Sequence, residues 1–421
     1  MKLTIKSALI IDRNSRHHLK KRDMIIRDGV IASIGEDLKS EGKTIESPSL
    51  RVSPGWFDMK SNFCDPGLEY KEDILSGCRA AAAGGFTGVA IVPNTKPVIQ
   101  SKNEISYVNN KSAGCIADVI PYGSVTRDNA GTELTEILDQ HYAGAAAFTD
   151  GEVPLWNTDI IYKSLQYLQK VDGLVINKPE DKWLNMLGLM HEGKTNAMLG
   201  LKGMPRIAEE VMIDRDIRIL EYTGGRLHFS NISTAESVKL IRQAKRKGLK
   251  LTCDIAAHQI ALEDTALMDF DTNLKLNPPL REKNDIKALI AGIMDGSIDV
   301  VVSSHSPQDV DSKRMEFDLA EYGMIGLQTV YPILNTSLGE KNDEIIIDLL
   351  SVNPRKILGL PAISIIEGEK ANLTLFDNKA EWTFDDQTNL SKSRNSPFLG
   401  RKMKGKVVGI INKGDIALNG Y

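Results

Sequence analysis

The chain has 421 residues, 42% of them hydrophobic, with 52 Lys and Arg against 56 Asp and Glu and a formal net charge of -4. That length exceeds one ordinary small domain and suits a barrel-sized unit with a smaller companion. With no basic excess, the charge balance argues against nucleic acid or an anionic membrane surface as a partner.

From the N-terminus, residues 2 to 11 and 22 to 35 alternate with period two, and Asp28-Gly29 is a hairpin signal inside the second run. The basic run from Arg16 to Arg22 reads as a solvated hairpin tip. No window approaches the roughly 18 apolar residues of a membrane span, so a soluble, unprocessed, cytoplasmic protein is expected. Next comes PGWFDMKSNFCDPG, residues 54 to 67. Its spacing suits a strand end that aims two side chains, Lys60 and Asn62, at one point.

Apolar strand-like runs then alternate with helical patterns. FTGVAIVPN follows the alanine-rich DILSGCRAAAAGG, CIADVIPYGSV follows a helical stretch from Asn103, and GAAAFTD follows ELTEILDQHY. DGLVINKPED, RLHFSNIST, LKLTCDIAAH and IDVVVSSHSP continue the series, with helical patterns such as TAESVKLIRQAKRKG among them. Alternation over roughly 300 residues predicts an α/β fold, a (β/α)8 barrel. At the C-terminal end, ANLTLFD and GKVVGIINKGDIAL, turning at Lys413-Gly414-Asp415, supply further strands. The expected organisation is residues 1–50 and 364–421 forming one small β-sandwich, with the barrel over 51–363. Cys64, Cys78, Cys115 and Cys253 form no CxxC pair and read as reduced thiols.

Barrel chemistry sits at the C-terminal ends of the strands. The polar residues ending the apolar runs are Lys60, Asn62, Asn94, Asp150, Lys178, Asn231, His258 and Ser304.

These segments, with MHEG at 190–193, NPPLR at 277–281, DGSID at 295–299, NPRKILGL at 353–360 and SKSRNSPFLG at 391–400, resemble in order and spacing the dihydroorotases of the amidohydrolase superfamily. The resemblance runs from about residue 2 to 416 and implies a barrel carrying a small β-sandwich. Active members bind one or two divalent metals, zinc among them, and open or close the cyclic amide of dihydroorotate. The metal would supply a hydroxide and polarise the carbonyl, and a last-strand aspartate would move the proton.

At the site the resemblance fails residue by residue. The family's His-x-His falls on Lys60 and Asn62, and its carboxylate-gripping arginine on Cys64. Two further metal histidines fall on Lys178 and Asn231, the catalytic aspartate on Ser304, and a closing histidine on Gln308. Asp150 alone keeps its ligand identity, followed by Gly151, while Asn94 and Asn277 match positions lining the substrate pocket. Ammonium and amide groups are no substitute for imidazole or carboxylate donors, so loss of the metal, and no cofactor, is expected.

A non-catalytic, dihydroorotase-like protein with a structural or assembly role in pyrimidine biosynthesis is therefore expected. Its partner would be aspartate transcarbamoylase or further copies of itself, as a homo-oligomer. The alternatives are an active dihydroorotase or related cyclic amidohydrolase with a divergent site, and a small-molecule binding module. A relocated metal site would draw on His228, His258 and His305, although His305 should face away from Ser304 because side chains alternate along a strand. His191 reads as structural, and His17, His18 and His141 lie elsewhere. Metal-free catalysis would use Lys60 or Lys178 as a Schiff-base amine. The expected resting arrangement is a bond from Lys60 or Lys178 to Asp150, an ammonium replacing the metal's charge.

Overall fold

The computed structural model describes residues 2–420. The N-terminal strands are β1 (Lys2–Ile10), β2 (Lys21–Arg27), β3 (Val30–Gly35), β4 (Lys43–Ile45) and β5 (Leu50–Pro54). The barrel strands begin with β6 (Trp56–Ser61), β7 (Phe86–Ile91), β8 (Asp118–Pro121) and β9 (Leu174–Asn177). After a two-residue pair, β10 (Met190–His191) and β11 (Gly203–Met204), they continue as β12 (Arg226–Phe229), β13 (Leu251–Ala256) and β14 (Val300–Val302). The C-terminal strands are β15 (Leu373–Phe384), β16 (Arg401–Asn412) and β17 (Asp415–Leu418).

Strands from both ends of the chain share one eight-stranded sheet, in the order β17-β16-β15-β5-β1-β2-β3 with β4 on β1. The expected hairpins form: Asp28 and Gly29 both take positive φ between β2 and β3, as Lys413 and Gly414 do between β16 and β17. Two consecutive left-handed residues match the strand twist. β5, which straddles the expected boundary at residue 50, pairs with β1 and β15 in this sheet. Ile5, Ile26, Leu373 and Ile411 lie in one buried cluster, so the two termini pack as one body.

The basic run from Arg16 to Arg22 joins the antiparallel β1 and β2, and none of its residues is buried, as expected of a solvated hairpin tip. At its surface, Arg16 pairs with Glu367 at 2.8 Å and His18 lies 3.1 Å from Glu344, both carboxylates from distant segments.

The parallel strands β6, β7 and β8 pair in sequence, as do β9, β12, β13 and β14. The fourth barrel position, expected in GAAAFTD, is reduced to bridges at Phe148 to Gly123 and Val175. A bridge between Ser61 and His305 closes the ring. This is the (β/α)8 barrel. Helix α1 (Ile74–Ala83) starts on a capping box between Asp73 and Ser76 and buries its run of small alanines under β7. At the barrel's base, Trp56 packs on Tyr331 and Phe376, with ring centroids 5.1 and 5.3 Å apart, joining barrel and β domain.

All four cysteines are free and buried. No helix among the described residues is long and apolar enough to cross a membrane.

Candidate functional site

The strand ends meet at a cavity of about 240 Å³, lined by Asn62, Lys178, His258, Asn277, Ser304 and Gln308 together with Glu152 and Tyr322. Six of the sequence-predicted residues thus converge. Lys60 and Asn231 lie buried beside them, and Asn94, Asp150 and Cys64 turn to other tasks.

Lys60 ends β6 with only 3% of its surface exposed. Its ammonium lies 3.4 Å from Glu152 Oε1. With the Asn231 amide in the orientation that satisfies its neighbours, the oxygen accepts from Lys60 Nζ at 3.0 Å and from Ser304 Oγ at 2.8 Å, and the nitrogen donates to Asp254 Oδ1 at 3.2 Å. Lys178, at the end of β9, donates to the Glu152 carbonyl at 3.2 Å and pairs with Glu180 at 3.1 Å. Burial works upward on the Glu180 carboxyl, but the Lys178 ammonium and amide donors from Asn185 and Asn277 hold it below its ordinary value.

Neither lysine bonds Asp150, which overturns the charge-replacement expectation. Asp150 Oδ1 accepts from the Thr126 amide at 2.9 Å and from Ser124 Oγ at 3.1 Å, and Oδ2 accepts from Thr126 Oγ1. Burial still raises its pKa against these donors. The Asp150 oxygens are occupied by hydroxyl and amide donors, and the lysines take the glutamates instead.

Asn94 is likewise committed. Its Nδ2 donates to the Asp150 carbonyl at 3.0 Å and its Oδ1 accepts from the Glu152 amide at 2.9 Å, so it clamps the loop that delivers Glu152. Gly151 between them has φ +64°, and a Cβ there would lie 1.9 Å from Asn94 Oδ1. Asn277, by contrast, faces the cavity and donates to Glu180 at 2.9 Å. Asn62 Oδ1 turns back to accept from the Cys64 amide at 2.8 Å. Cys64, at φ 59°, is buried, and burial pushes its thiol up to about 12.

The histidines form no substitute centre. His258 lines the cavity, but burial, and secondarily the Lys60 charge, brings its pKa down to about 4, leaving it neutral near pH 7. His305 points away as alternation predicted, its Nε2 3.4 Å from Glu72 Oε2. His228 lies in the barrel interior, its Nε2 bonded to Asp254 at 2.9 Å and its Nδ1 to Thr252 at 2.8 Å. His191 is buried against Arg281 at 3.1 Å.

A zinc-type centre takes three or four donors from thiolate, neutral imidazole or carboxylate. Among the described residues, no three His, Cys, Asp or Glu side chains come together in a way that could hold a metal ion. The buried Lys60 and Lys178 ammoniums would repel a divalent cation, so these residues do not fit the family's metal. Sequence reasoning missed Glu152 and Glu180, the carboxylates that neutralise the lysines. Both were visible as the acids two positions beyond Asp150 and Lys178.

A closed (β/α)8 ring with a β domain from both termini, and its polar groups gathered at the strand ends, defines an amidohydrolase-type barrel. The L-hydantoinase (dihydropyrimidinase) from Arthrobacter aurescens superposes with a TM-score of 0.85 at 21% identity, covering 100% of this chain and 96% of that one. The dihydropyrimidinase from Brevibacillus agri NCHU1002 gives 0.81 at 21% identity, covering 100% and 95%. A dihydro-orotase-like family model matches residues 51–237. Curated dihydroorotases from Geotalea daltonii and Geobacter sp. (strain M21) are 39% and 40% identical over 421 residues, covering 99% of each chain. The chain belongs to the dihydroorotase family.

Proposed function

We propose that this dihydroorotase-family barrel is non-catalytic and has a structural or assembly role in pyrimidine biosynthesis, in the cytoplasm. An aspartate transcarbamoylase or further copies of the chain would be its partner. The observation behind this reading is the Lys60–Glu152 pair, 3.4 Å apart at the first strand end where the family's metal would need imidazoles. An ammonium held by a carboxylate and an amide neither donates to a divalent ion nor activates water. The role in assembly rests on family resemblance alone, since a fold does not determine a function.

A second reading, a working dihydroorotase-type cyclic amidohydrolase with a divergent site, is favoured by the curated relatives, which are named dihydroorotases at 39% and 40% identity over nearly the full chain. On class of activity the relatives lean toward this second reading, and on donor chemistry the site leans toward the first. Metal analysis of the purified protein with a dihydroorotate ring-opening assay separates them. Turnover that a chelator abolishes would overturn the non-catalytic reading.

A further inference from the structure

Four buried oxygens where the barrel meets the β domain have no hydrogen-bond partner among the described residues: Tyr331 Oη, Asn335 Oδ1, Asn378 Oδ1 and Asp343 Oδ1. These residues are 1%, 2%, 0% and 8% exposed, in that order. Tyr331 and Asn335 lie one turn apart on the helix Val330–Leu338. Both press on Gly405 of β16, where a Cβ would lie 3.1 Å from the Tyr331 ring and 2.9 Å from the Asn335 amide. Asn378 is on β15, two residues past Phe376, whose ring centroid is 5.1 Å from that of Tyr331. Asp343 opens the next helix, Asp343–Ile347, and its Oδ2 accepts from Arg51 Nε at 2.6 Å.

Buried acceptors in folded proteins are nearly always met by a donor, an ordered water or an ion. Turning the amides cannot supply the missing donor, because both nitrogens are committed. Asn335 Nδ2 donates to the Asn378 and Lys404 carbonyls at 3.0 and 3.1 Å, and Asn378 Nδ2 to the Glu340 carbonyl at 3.3 Å. Two amide oxygens and a carboxylate oxygen can only accept, so the group that meets them without bringing protons of its own is a cation. Charge points the same way. The charges that bear most on the Tyr331 hydroxyl are Asp343, Arg51, Asp377 and Glu340, three acids to one base, with Lys404 holding Glu340 at 2.5 Å. Asp377 is already engaged by Ser47 Oγ at 2.5 Å and by the amides of Lys379 and Ala380 at 2.9 and 3.1 Å.

We propose that Tyr331, Asn335, Asn378 and Asp343 form a site for one monovalent alkali cation, potassium or sodium, at the junction of the barrel and the β domain. Hard cations take oxygen ligands, neutral amide oxygens among them, and the four orphaned atoms are all oxygens. A single positive charge suits the set, because two amides and a hydroxyl carry no charge and the one carboxylate, Asp343, is already shared with Arg51. Calcium or magnesium sites are built with more carboxylates than that. The ion ties the helix Val330–Leu338 and the start of Asp343–Ile347 to β15, so it holds the β domain on the barrel. None of these residues lines the strand-end cavity, and the proposal stands whether or not that cavity turns anything over.

The test is thermal unfolding of the full chain in the chlorides of potassium, sodium, calcium and tetramethylammonium at equal ionic strength. The melting temperature should be higher by about 2 °C or more in potassium or sodium than in tetramethylammonium, and the gain should saturate with concentration. Tyr331→Phe, which removes one oxygen and keeps the ring, should lose most of that gain, while the exposed Tyr167→Phe should keep it. Crystals of the unaltered protein grown in rubidium chloride should show one anomalous peak among the four oxygens, a readout that needs no variant to fold. Equal melting in potassium, sodium and tetramethylammonium, a larger gain from calcium, a folded Tyr331→Phe protein with the full gain, or water alone at the four oxygens would each overturn the proposal.

Discussion

Lys60 Nζ lies 3.4 Å from Glu152 Oε1, while Asp150, two residues before Glu152, takes its hydrogen bonds from Ser124 and Thr126. The loop after the fourth barrel strand therefore presents two carboxylates to different partners. Asp150 turns inward to fasten the β8 loop, and Glu152 turns to the buried Lys60 ammonium.

That division predicts the behaviour of Glu152→Gln. It leaves the Lys60 ammonium, 4% exposed at its side chain, without a carboxylate. Breaking a fully buried pair costs about 3–5 kcal/mol, and because the Glu152 side chain is 34% exposed we expect a smaller loss, about 1–2 kcal/mol, in urea unfolding. Removing the cation as well, in Lys60→Met with Glu152→Gln, should recover most of it. A double variant as unstable as the single one would contradict the pairing.

Gly151→Ala tests the clamp on the same loop. At φ +64°, with its Cβ 1.9 Å from Asn94 Oδ1, alanine is strained in backbone and crowded in space. A loss of about 1–2 kcal/mol from the left-handed conformation alone is expected, with a lowered melting temperature. An unchanged melting temperature would show that Asn94 does not hold the loop in this way.

His258 gives a pH dependence. Burial and then Lys60 lower its pKa from 6.5 to about 4, so the folded state favours the neutral ring. Above pH 6.5 the ring is neutral in both states and imposes no penalty. As the pH falls from 6.5 toward 4 the unfolded chain binds a proton first, and stability drops by up to about 3 kcal/mol. Chemical denaturation at pH 7, 5.5 and 4.5 should show a shallower acid slope for His258→Gln. Because His191 is also lowered to about 4, by burial and Arg281, the His258 variant should flatten the slope only in part. Parallel slopes would remove His258 from the account.

For the metal, protein purified and dialysed against zinc should retain far less than one equivalent by elemental analysis, with no melting shift from added zinc, since ligands that bind only the folded state raise its melting temperature. One retained equivalent and a matching shift would reveal a donor set that the Lys60 and Lys178 pairs do not suggest.

The fold was largely legible in the sequence because its signals are local. Asp28-Gly29 and Lys413-Gly414 are turn chemistry, and runs such as VINKPED and TCDIAAH carry both the apolar strand and the polar residue at its end. The residue types that gather at the mouth, Lys60, Asn62, Lys178 and Asn231, were also legible, because donor chemistry belongs to the residue type. The weak spot was GAAAFTD, where small side chains predict a strand but the ladder is reduced to bridges at Phe148.

What the sequence alone determined is therefore the order of the barrel strands, the terminal sheet and the kinds of group that reach the mouth. Only the tertiary structure decided which charge meets which. Asp150 was the expected partner of the lysines, yet Glu152 and Glu180 hold them, and Lys71, outside every sequence-predicted site, stands behind Gln308 at the cavity wall. The physical reason is that strand periodicity is set by neighbours in the chain. Counterions depend on how loops meet in space: Lys60 takes Glu152 from the loop of a non-adjacent strand, Lys178 takes Glu180 from its own loop, and Ser124 and Thr126 of the neighbouring loop take Asp150 before any lysine reaches it.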